Sequence, residues 1–316
     1  MSRTLLVAAV CFVVGVAVYP VLVTVLARVG AGQMVQEYNP STHRAKAGTP
    51  TMGGLLICLI AVTVWLVTDR TQAGFVIAYA LVGGAAVGFL DDLANVRGLG
   101  SLGLDVRQKL VLQVVVGIAV GFGLHAAGAS TQDLPGAGMV DLGWGVVPLA
   151  ALAVVATTNA VYMTDGVDGL AASCVAIALV GAIIASLWLG AGSAATMAAA
   201  LLGTIVAFLF YNWHPARIFM GDTGALGLGA ALTAISVEAH LLWLLPLLGI
   251  VFAVETASVI VNVTAITRFR RRVFRSSPLH HHFEKMGVSE ERLVLFFATG
   301  GTVAVALTLL TVHAVV

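Results

Sequence analysis

The sequence predicts an all-α polytopic membrane protein with about ten transmembrane helices in a single domain, residues 1–316. Of its residues, 59% are hydrophobic and only 10% are charged, whereas a soluble domain carries about 25% charged residues. The apolar residues form runs of membrane length, whereas a β-barrel would show alternating segments of about ten residues. These two observations favour a bundle of helices that crosses the membrane repeatedly.

Apolar runs of roughly 17–25 residues can cross a bilayer as helices, and reading the chain this way gives ten candidates. The eighth is short and rich in glycine, and the ninth contains Pro246 and Glu255, so we expect either to be bent or broken. The first is too long for a signal peptide, so we expect a retained span. The candidates are Thr4–Ala27, Met52–Thr68, Gly74–Leu90, Val111–Ala127, Val146–Val161, Leu170–Leu189, Ala194–Tyr211, Leu226–Val237, Leu241–Thr267 and Leu293–Val315.

Basic residues predict the orientation, because cytoplasmic loops of membrane proteins are rich in Lys and Arg. If the spans alternate strictly, 14 of the 16 basic residues fall on one side, and only Arg3 and Arg70 lie on the other. We therefore expect the basic side in the cytoplasm and both termini outside. The segments on the basic side are 28–51, 91–110, 162–169, 212–225 and 268–292.

Composition also excludes several functions. The net charge is +1, and no basic stretch is interleaved with aromatic residues, so nucleic-acid binding is not indicated. Cys11, Cys58 and Cys174 lie inside apolar runs without CxxC spacing, which is typical of core residues and indicates neither a disulfide nor a zinc site. Any active site must therefore be built from cytoplasmic loops and the helix ends next to them.

The apolar run from Phe75 to Leu90 ends in two adjacent carboxylates, Asp91 and Asp92. Ionised groups at the edge of hydrocarbon are costly unless they are paired, hydrated or bound to metal, so they are functional candidates. Their mutual repulsion favours a cation between them. The alternative is that the pair only marks where a helix leaves the bilayer.

Two other cytoplasmic stretches combine glycine with charge. Lys46 and Thr51 precede a helix start, where backbone N–H groups and a cation suit an anion; the alternative is a basic anchor before a helix that proline initiates. Asp165 and Asp168 lie in an Asp-Gly-x-Asp-Gly turn, which offers oxygen ligands to a hard cation. The alternative for this stretch is a plain turn between helices.

A glycine-rich turn places Asp222 near Phe219, an aromatic ring that could stack on a base or anchor the chain at the interface. Farther along, His280, His281 and His282 follow an arginine cluster. Adjacent helical side chains point about 100° apart, so the three cannot easily share one metal. Phosphate binding or acid–base work suits them better, and a solvated loop is the alternative.

Together these stretches predict one cytoplasmic surface with aspartates, cations, glycine-rich turns, histidines and an aromatic ring. That inventory suits phosphoryl transfer from a nucleotide-linked donor, in which carboxylates hold Mg²⁺ and basic groups neutralise phosphate charge. Because the site lies at a membrane, a lipid phosphate is the natural acceptor.

Five stretches resemble, in the right order, the bacterial phospho-N-acetylmuramoyl-pentapeptide transferases (translocase I), a branch of the polyprenyl-phosphate N-acetylhexosamine-1-phosphate transferases. The resemblance covers nearly the whole chain. Gly-Thr-Pro-Thr-Met-Gly-Gly and Pro-Leu-His-His-His-Phe-Glu favour the muramoyl branch over the N-acetylglucosamine branch. The stretches are 48–54, 88–92, 159–170, 211–224 and 278–284.

The resemblance implies a Mg²⁺ enzyme of the bacterial cytoplasmic membrane that uses UDP-N-acetylmuramoyl-pentapeptide and undecaprenyl phosphate. Its products would be UMP and lipid I, the first lipid-linked intermediate of peptidoglycan synthesis, and the family contains homodimers. The implied catalytic residues are Asp91 as the base on the lipid phosphate, Asp222 and Asp92 as metal ligands, and His280, His281 and His282. The implied substrate-binding residues are Lys46, Thr51, Lys109, Asn159, Tyr162 and Asn212. Asp165 and Asp168 would line the nucleotide pocket, and Phe219 would stack on uracil.

The chain departs from the family pattern at three places. Tyr162 replaces an Asn, Asn95 replaces a Lys, and Ser276-Ser277 replaces a Met-Ala type of pair. A phenol in place of an amide changes size and hydrogen bonding near the nucleotide, and a lost lysine removes a charge that faces phosphate. These departures predict a divergent paralogue with altered donor preference, altered sensitivity to nucleoside inhibitors or a reduced rate.

Three alternatives compete with this prediction. One is a related transferase for UDP-N-acetylglucosamine or another UDP-sugar. Another is a transporter, which would carry acids near the midplane and repeated halves; here Glu255 is the one clear acid within a span, and no repeat is visible. The third is a non-catalytic resistance protein that binds inhibitors, against which the presence of Asp91, Asp92 and Asp222 argues.

Overall fold

The computed structural model describes residues 2–32, 48–96, 103–134 and 136–314, which form a bundle of helices with one small hairpin. The α-helices are α1 (Ser2–Arg28), α2 (Gly54–Thr68), α3 (Gln72–Val96), α4 (Val106–Ala126), α5 (Val146–Thr164), α6 (Leu170–Trp188), α7 (Gly192–Asn212), α8 (Gly221–Glu238), α9 (Leu245–Leu248), α10 (Ile250–Phe269), α11 (Leu279–Glu284) and α12 (Glu290–His313). Strands β1 (Thr131–Leu134) and β2 (Gly138–Asp141) pair antiparallel between α4 and α5. Short 3₁₀-helices lie at Gly143–Gly145 and Leu242–Leu244.

Within these residues, eight helices are long and apolar enough to cross a membrane, so the chain is a multi-pass membrane protein. The eight are α1, α3, α4, α5, α6, α7, α10 and α12. The predicted second and eighth spans are also helical, but α2 has only 15 residues and α8 falls outside the set of eight. Ten crossings, and the location of both termini outside, stay predictions.

The predicted ninth span is broken, as its proline suggested. A 3₁₀-helix leads into the four-residue helix α9, and Gly249 separates α9 from α10. Pro246 lies in the first turn of α9, where its missing N–H removes no helical hydrogen bond. Glu255 follows in α10 and is fully buried.

Helix α8 is the centre of the bundle, and all of its residues from 223 to 237 are buried. Glycines on α3 allow the two backbones to touch. A Cβ atom at Gly88 would overlap the carbonyl oxygen of Asp222, and one at Gly84 would lie 2.5 Å from the carbonyl oxygen of Leu226. Small residues four apart share one helix face and are typical of close helix pairs in membranes. This contact brings the end of α3 against the start of α8.

Helix α5 holds α8 from another side through polar groups. The hydroxyl oxygens of Thr157 and Thr233 lie 2.6 Å apart, and the Thr157 hydroxyl donates to the carbonyl of Gly229 at 2.9 Å. A Cβ atom at Gly229 would lie 2.6 Å from Cα of Thr158, so glycine is needed for this approach. Hydrogen bonds between helices satisfy polar groups that lipid cannot.

The far end of α8 is fastened to the hairpin. Gln132 of β1 is fully buried, donates Nε2 to the carbonyl of Val237 at 2.8 Å and accepts from the backbone N–H of Leu242 at 3.1 Å. One end of α8 therefore meets the hairpin, and the other meets the acidic end of α3.

We predict that Gly88→Val lowers the free energy of unfolding by about 3 kcal/mol or more, because overpacking a closed contact forces backbone shifts. Thermal unfolding in detergent measures the change. Gly300→Val is the matched control, since a Cβ atom at Gly300 on α12 meets nothing within 4 Å. Equal melting temperatures for the two variants would contradict the packing described here.

Candidate active site

Asp92 holds the start of α8. Helix α3 continues through the aspartate pair to Val96, and both carboxylates are buried, with 4% and 6% exposure. Asp92 accepts the backbone N–H of Asp222 at 3.1 Å, the backbone N–H of Thr223 at 2.9 Å and the Thr223 hydroxyl at 2.6 Å. The first N–H groups of a helix lack intrahelical partners, and its positive end favours a carboxylate. Asp92 therefore positions Asp222.

Asp91 and Asp222 share one cation. The Lys109 ammonium lies 3.1 Å from Oδ2 of Asp91 and 2.7 Å from Oδ2 of Asp222. Asp91 also accepts the backbone N–H of Leu104 at 2.8 Å and the side-chain amide of Asn95 at 3.3 Å. A lysine from the first turn of α4 thus lies between Asp91 and Asp222, and a cation between the adjacent Asp91 and Asp92 stays a prediction. Asn95, a departure from the family pattern, binds the Asp91 carboxylate.

Tyr162 lies over this ion-pair cluster. Its ring centroid is 4.8 Å from Nζ of Lys109, within the range of a cation–π contact, and its side chain is 42% exposed. The phenol also lies within the field of Asp222, Asp91 and Asp165. Tyr162 therefore forms one wall of the cluster and faces solvent.

Asn159 lies one turn before Tyr162 on α5 and braces that helix against α4. Its amide donates to the side chain of Gln113 at 2.6 Å and to the carbonyl of Val155 at 2.8 Å. This contact fixes the distance between the helix that carries Lys109 and the helix that carries Tyr162. In this structure Asn159 has a bracing role, and its predicted contact with substrate stays a prediction.

The segment before α2 packs against the segment before α8. Phe219, which is half-buried, donates its backbone N–H to Pro50 at 2.8 Å and accepts from Gly53 at 2.9 Å. Gly221 has φ +74°, and a Cβ atom there would lie 2.6 Å from Asp92 and 3.0 Å from the Thr51 hydroxyl. Thr51 and Phe219 are therefore next to the cluster. Lys46 lies outside the described residues.

The turn of residues 165–169 is fixed by Asn212, which is buried at the end of α7. Its side-chain oxygen accepts the backbone N–H of Gly169 at 3.0 Å, and its amide donates to the carbonyl of Ile218 at 3.0 Å. A single side chain thus ties the aspartate turn to the loop that leads into α8. The predicted role of Asn212 in the site stays a prediction.

Asp168 joins three segments. Its Oδ2 lies 3.0 Å from Nδ1 of His214 and accepts the backbone N–H of Ala216 at 3.0 Å, while its own backbone N–H donates to Glu290 at 3.1 Å. Among the described residues, Asp168, His214 and Glu290 are the one group of three metal-ligand side chains whose ligand atoms lie within 4.8 Å of one another. Sequence analysis included Asp168 but missed His214 and Glu290, although both lie in segments predicted to be cytoplasmic.

The three adjacent histidines have different environments, as the helical geometry predicted. His280 is fully buried and lies against Gly166 in the aspartate turn. His281 pairs with Glu284, and Nδ1 of His282 accepts the backbone N–H of Arg275 at 3.1 Å. His280 therefore reaches the turn that contains Asp165 and Asp168.

The hydrogen bonds of Glu255 account for its burial inside α10. Its carboxylate accepts the backbone N–H groups of Leu279 at 2.6 Å and His280 at 3.1 Å, at the start of α11. A buried acid is stable when it satisfies the free N–H groups of a helix terminus. In a transporter an acid within a span would lie near the midplane of the membrane. Here Glu255 instead positions α11, the helix that carries the three histidines. The sequence could not reveal this role because α10 and α11 meet only in the fold.

Comparisons with known proteins identify relatives of this chain. Residues 73–240 match the model of glycosyl transferase family 4, and residues 46–58 match signature 1 of phospho-N-acetylmuramoyl-pentapeptide-transferase. A phospho-N-acetylmuramoyl-pentapeptide-transferase of Geobacillus thermodenitrificans is 41% identical over 92% of this chain and 93% of that protein. The protein of the same name from Moorella thermoacetica is 44% identical over 88% of this chain and 89% of that protein. The one from Bacillus velezensis is 38% identical over 92% of this chain and 92% of that protein.

We predict that Asp92→Ala lowers the free energy of unfolding by about 2 kcal/mol or more, because three buried donors lose their acceptor. Asp91→Ala is the matched control, since Lys109 keeps Asp222 as a partner. Thermal unfolding in detergent compares the two variants. A larger loss for Asp91→Ala would contradict the capping role of Asp92.

Proposed function

The chain belongs to the phospho-N-acetylmuramoyl-pentapeptide transferases, and we propose that it transfers phospho-N-acetylmuramoyl-pentapeptide from a UDP-linked donor to undecaprenyl phosphate. The products would be UMP and lipid I of peptidoglycan synthesis. The observation that carries this proposal is the cluster of Asp91, Lys109 and Asp222 at one end of an apolar bundle. Such a cluster suits a charged donor in water and a lipid acceptor in the membrane.

The donor set fits a divalent ion. Asp91 and Asp222 already hold one positive group, the Lys109 ammonium, between two carboxylate oxygens. Oxygen ligands of this type are preferred by Mg²⁺, which would supply charge neutralisation on the pyrophosphate. Asp92 is less suited to direct ligation, because both of its oxygens accept hydrogen bonds from the start of α8. We therefore assign Asp222 as the main metal ligand and Asp92 as the residue that positions it.

Lys109 can exchange partners during the reaction. Its ammonium is a compact charge on a flexible stem, so a substrate phosphate can draw it away from the carboxylates. Once it moves, Oδ2 of Asp91 keeps only the Asn95 amide as a donor and has a lone pair for a proton from the lipid phosphate, while Oδ1 stays fixed by Leu104. The ammonium would then neutralise phosphate charge during transfer. In this scheme Asp91 is the base and Lys109 the phosphate-binding cation.

The aspartate turn beside the cluster suits the nucleotide. Asn212 fixes the turn from one side and His280 packs against it from another, so its backbone is held in place before donor binding. Preorganised polar groups bind a ligand at a lower entropic cost. We propose that Asp165 and Asp168 border the uridine and that Phe219 stacks on uracil. The UDP-linked donor then requires this end of the bundle to face the cytoplasm of the bacterial cell.

We predict UMP release by the purified protein with undecaprenyl phosphate, Mg²⁺ and UDP-N-acetylmuramoyl-pentapeptide. Asp222→Asn should lower the rate by roughly 10²- to 10³-fold, the usual loss for one electrostatic stabiliser. Asp141→Asn is the matched control, since Asp141 is an acid of the hairpin at the other end of α8. UMP release with UDP-N-acetylglucosamine alone would move the protein to the sister branch, and no release with either donor would contradict transferase activity.

Tyr162 is the departure nearest to the cluster, and we predict that Tyr162→Leu changes kcat/KM for the donor. Losing a cation–π contact of about 0.5–2 kcal/mol corresponds to roughly a 2- to 30-fold change. Tyr162→Phe keeps the ring and should stay close to the wild type, whereas Tyr162→Asn should shift donor preference or inhibition by nucleoside analogues. If Asn and Leu both behave like the wild type, Tyr162 has no tuning role.

A further inference from the structure

A polar pocket lies at the end of α8 opposite to the candidate active site. Asp222 and Glu238 begin and end this helix, so they lie about 24 Å apart at the 1.5 Å rise of an α-helix. The pocket has a volume of about 190 Å³, which is room for a cation with several water molecules. It is lined by residues 127–129, residues 189–191, Glu238 and His240.

Three helices end at this pocket. Helix α4 ends at Ala126, α6 at Trp188 and α8 at Glu238. The last carbonyl groups of a helix lack intrahelical donors and form its negative end. Gly128 and Gly190, with φ +85° and +75°, turn the chain away just after two of these ends. Some of these carbonyls accept N–H groups of the next turn, such as those of Gly128, Ala129 and Ala191, and the remaining ones give the pocket a share of the negative helix ends.

Side chains add to that potential. Glu238 is an acid at a helix C-terminus, where the helix dipole disfavours negative charge. Among the residues that the structure describes, the lining includes no Lys or Arg. The charge of Asp69, at the end of α2, also acts on Glu238, and within the described chain Oδ2 of Asp69 is buried without a hydrogen-bond donor. A bound cation would offset this concentration of negative charge.

His240 has the arrangement of a metal ligand. Its Nδ1 lies 2.6 Å from the carbonyl oxygen of Thr131, and because a carbonyl can only accept, Nδ1 carries the proton. In a neutral ring the lone pair is then on Nε2, and a metal-bound histidine is oriented by such a bond in the same way. His240 has φ +60°, a conformation that persists where surrounding contacts fix it. Here the backbone N–H of Asp133 donates to the His240 carbonyl at 3.3 Å.

We propose that this pocket binds a divalent transition-metal cation, Mn²⁺ or Zn²⁺, through the Glu238 carboxylate and Nε2 of His240. Backbone carbonyls of the helix ends and water complete the ligand set. A mixed set of imidazole and oxygen ligands suits these ions. The site is separate from the proposed transferase centre and does not depend on it.

Binding of Mn²⁺ to the purified full chain, followed by electron paramagnetic resonance, tests this proposal. All measurements use the Asp222→Asn, His214→Ala background, which removes the main ligand of the proposed catalytic ion and one of the three metal-ligand side chains of the Asp168 group. We expect saturable binding that Zn²⁺ displaces, in keeping with the order of metal affinities. Adding Glu238→Gln or His240→Asn should weaken it at least tenfold, and Asn is chosen at position 240 because it tolerates positive φ. The control, Asp141→Asn, should leave it unchanged.

Two results would overturn the proposal. One is Mn²⁺ affinity that neither Glu238→Gln nor His240→Asn alters, and the other is an equal loss in Asp141→Asn. Melting temperatures without metal show that each variant is folded. UMP release by Glu238→Gln in the otherwise wild-type chain should be normal, so failure at this pocket is distinguishable from failure of the transferase assignment.

Discussion

The structure depends on the carboxylate of Asp92 at the first turn of α8. That contact joins the end of α3 to the start of the most buried helix, and it positions Asp222 beside the Lys109 ammonium. Inside an apolar bundle neither water nor lipid satisfies the free N–H groups of a helix terminus, so a side chain must. Glu255 performs the same task for α11. Two acids that look like exposed or unpaired charges in the sequence are thus structural supports for the residues that follow them.

Charge at the candidate site is only partly balanced. The single Lys109 ammonium lies between the Asp91 and Asp222 carboxylates, and His214 lies between Asp168 and Glu290. Ionic contacts in a region of low dielectric are strong only while they are complete. A charged substrate that enters must therefore exchange partners with the groups already there. The flexible stem of Lys109 and the partly exposed ring of Tyr162 make this end of the bundle suited to exchange.

Much of this could be predicted from the sequence, because both membrane spans and motifs are local signals. Apolar runs gave the helices, Pro246 marked the break, and the adjacent spacing of His280, His281 and His282 predicted separate environments. Contacts between distant segments could not be predicted. Three features depend on helices that are far apart in sequence and pack together only in the fold. They are the capping role of Asp92, the group of Asp168 with His214 and Glu290, and the placement of Glu255 below α11. The apolar run ends at the aspartate pair as the sequence shows, but the helix itself continues to Val96.

The glycine-rich surface of α8 has a consequence for how the protein is made. A segment enters the bilayer when its own apolarity outweighs the cost of its polar groups. Helix α8 falls outside the set of strongly apolar spans and is covered on all sides by protein. Its insertion must therefore be coupled to neighbours already in the membrane, α3 and α5 above all. The end of the bundle that holds Asp91, Lys109 and Asp222 is then completed late in biogenesis, because Asp222 is positioned only when α8 packs against α3.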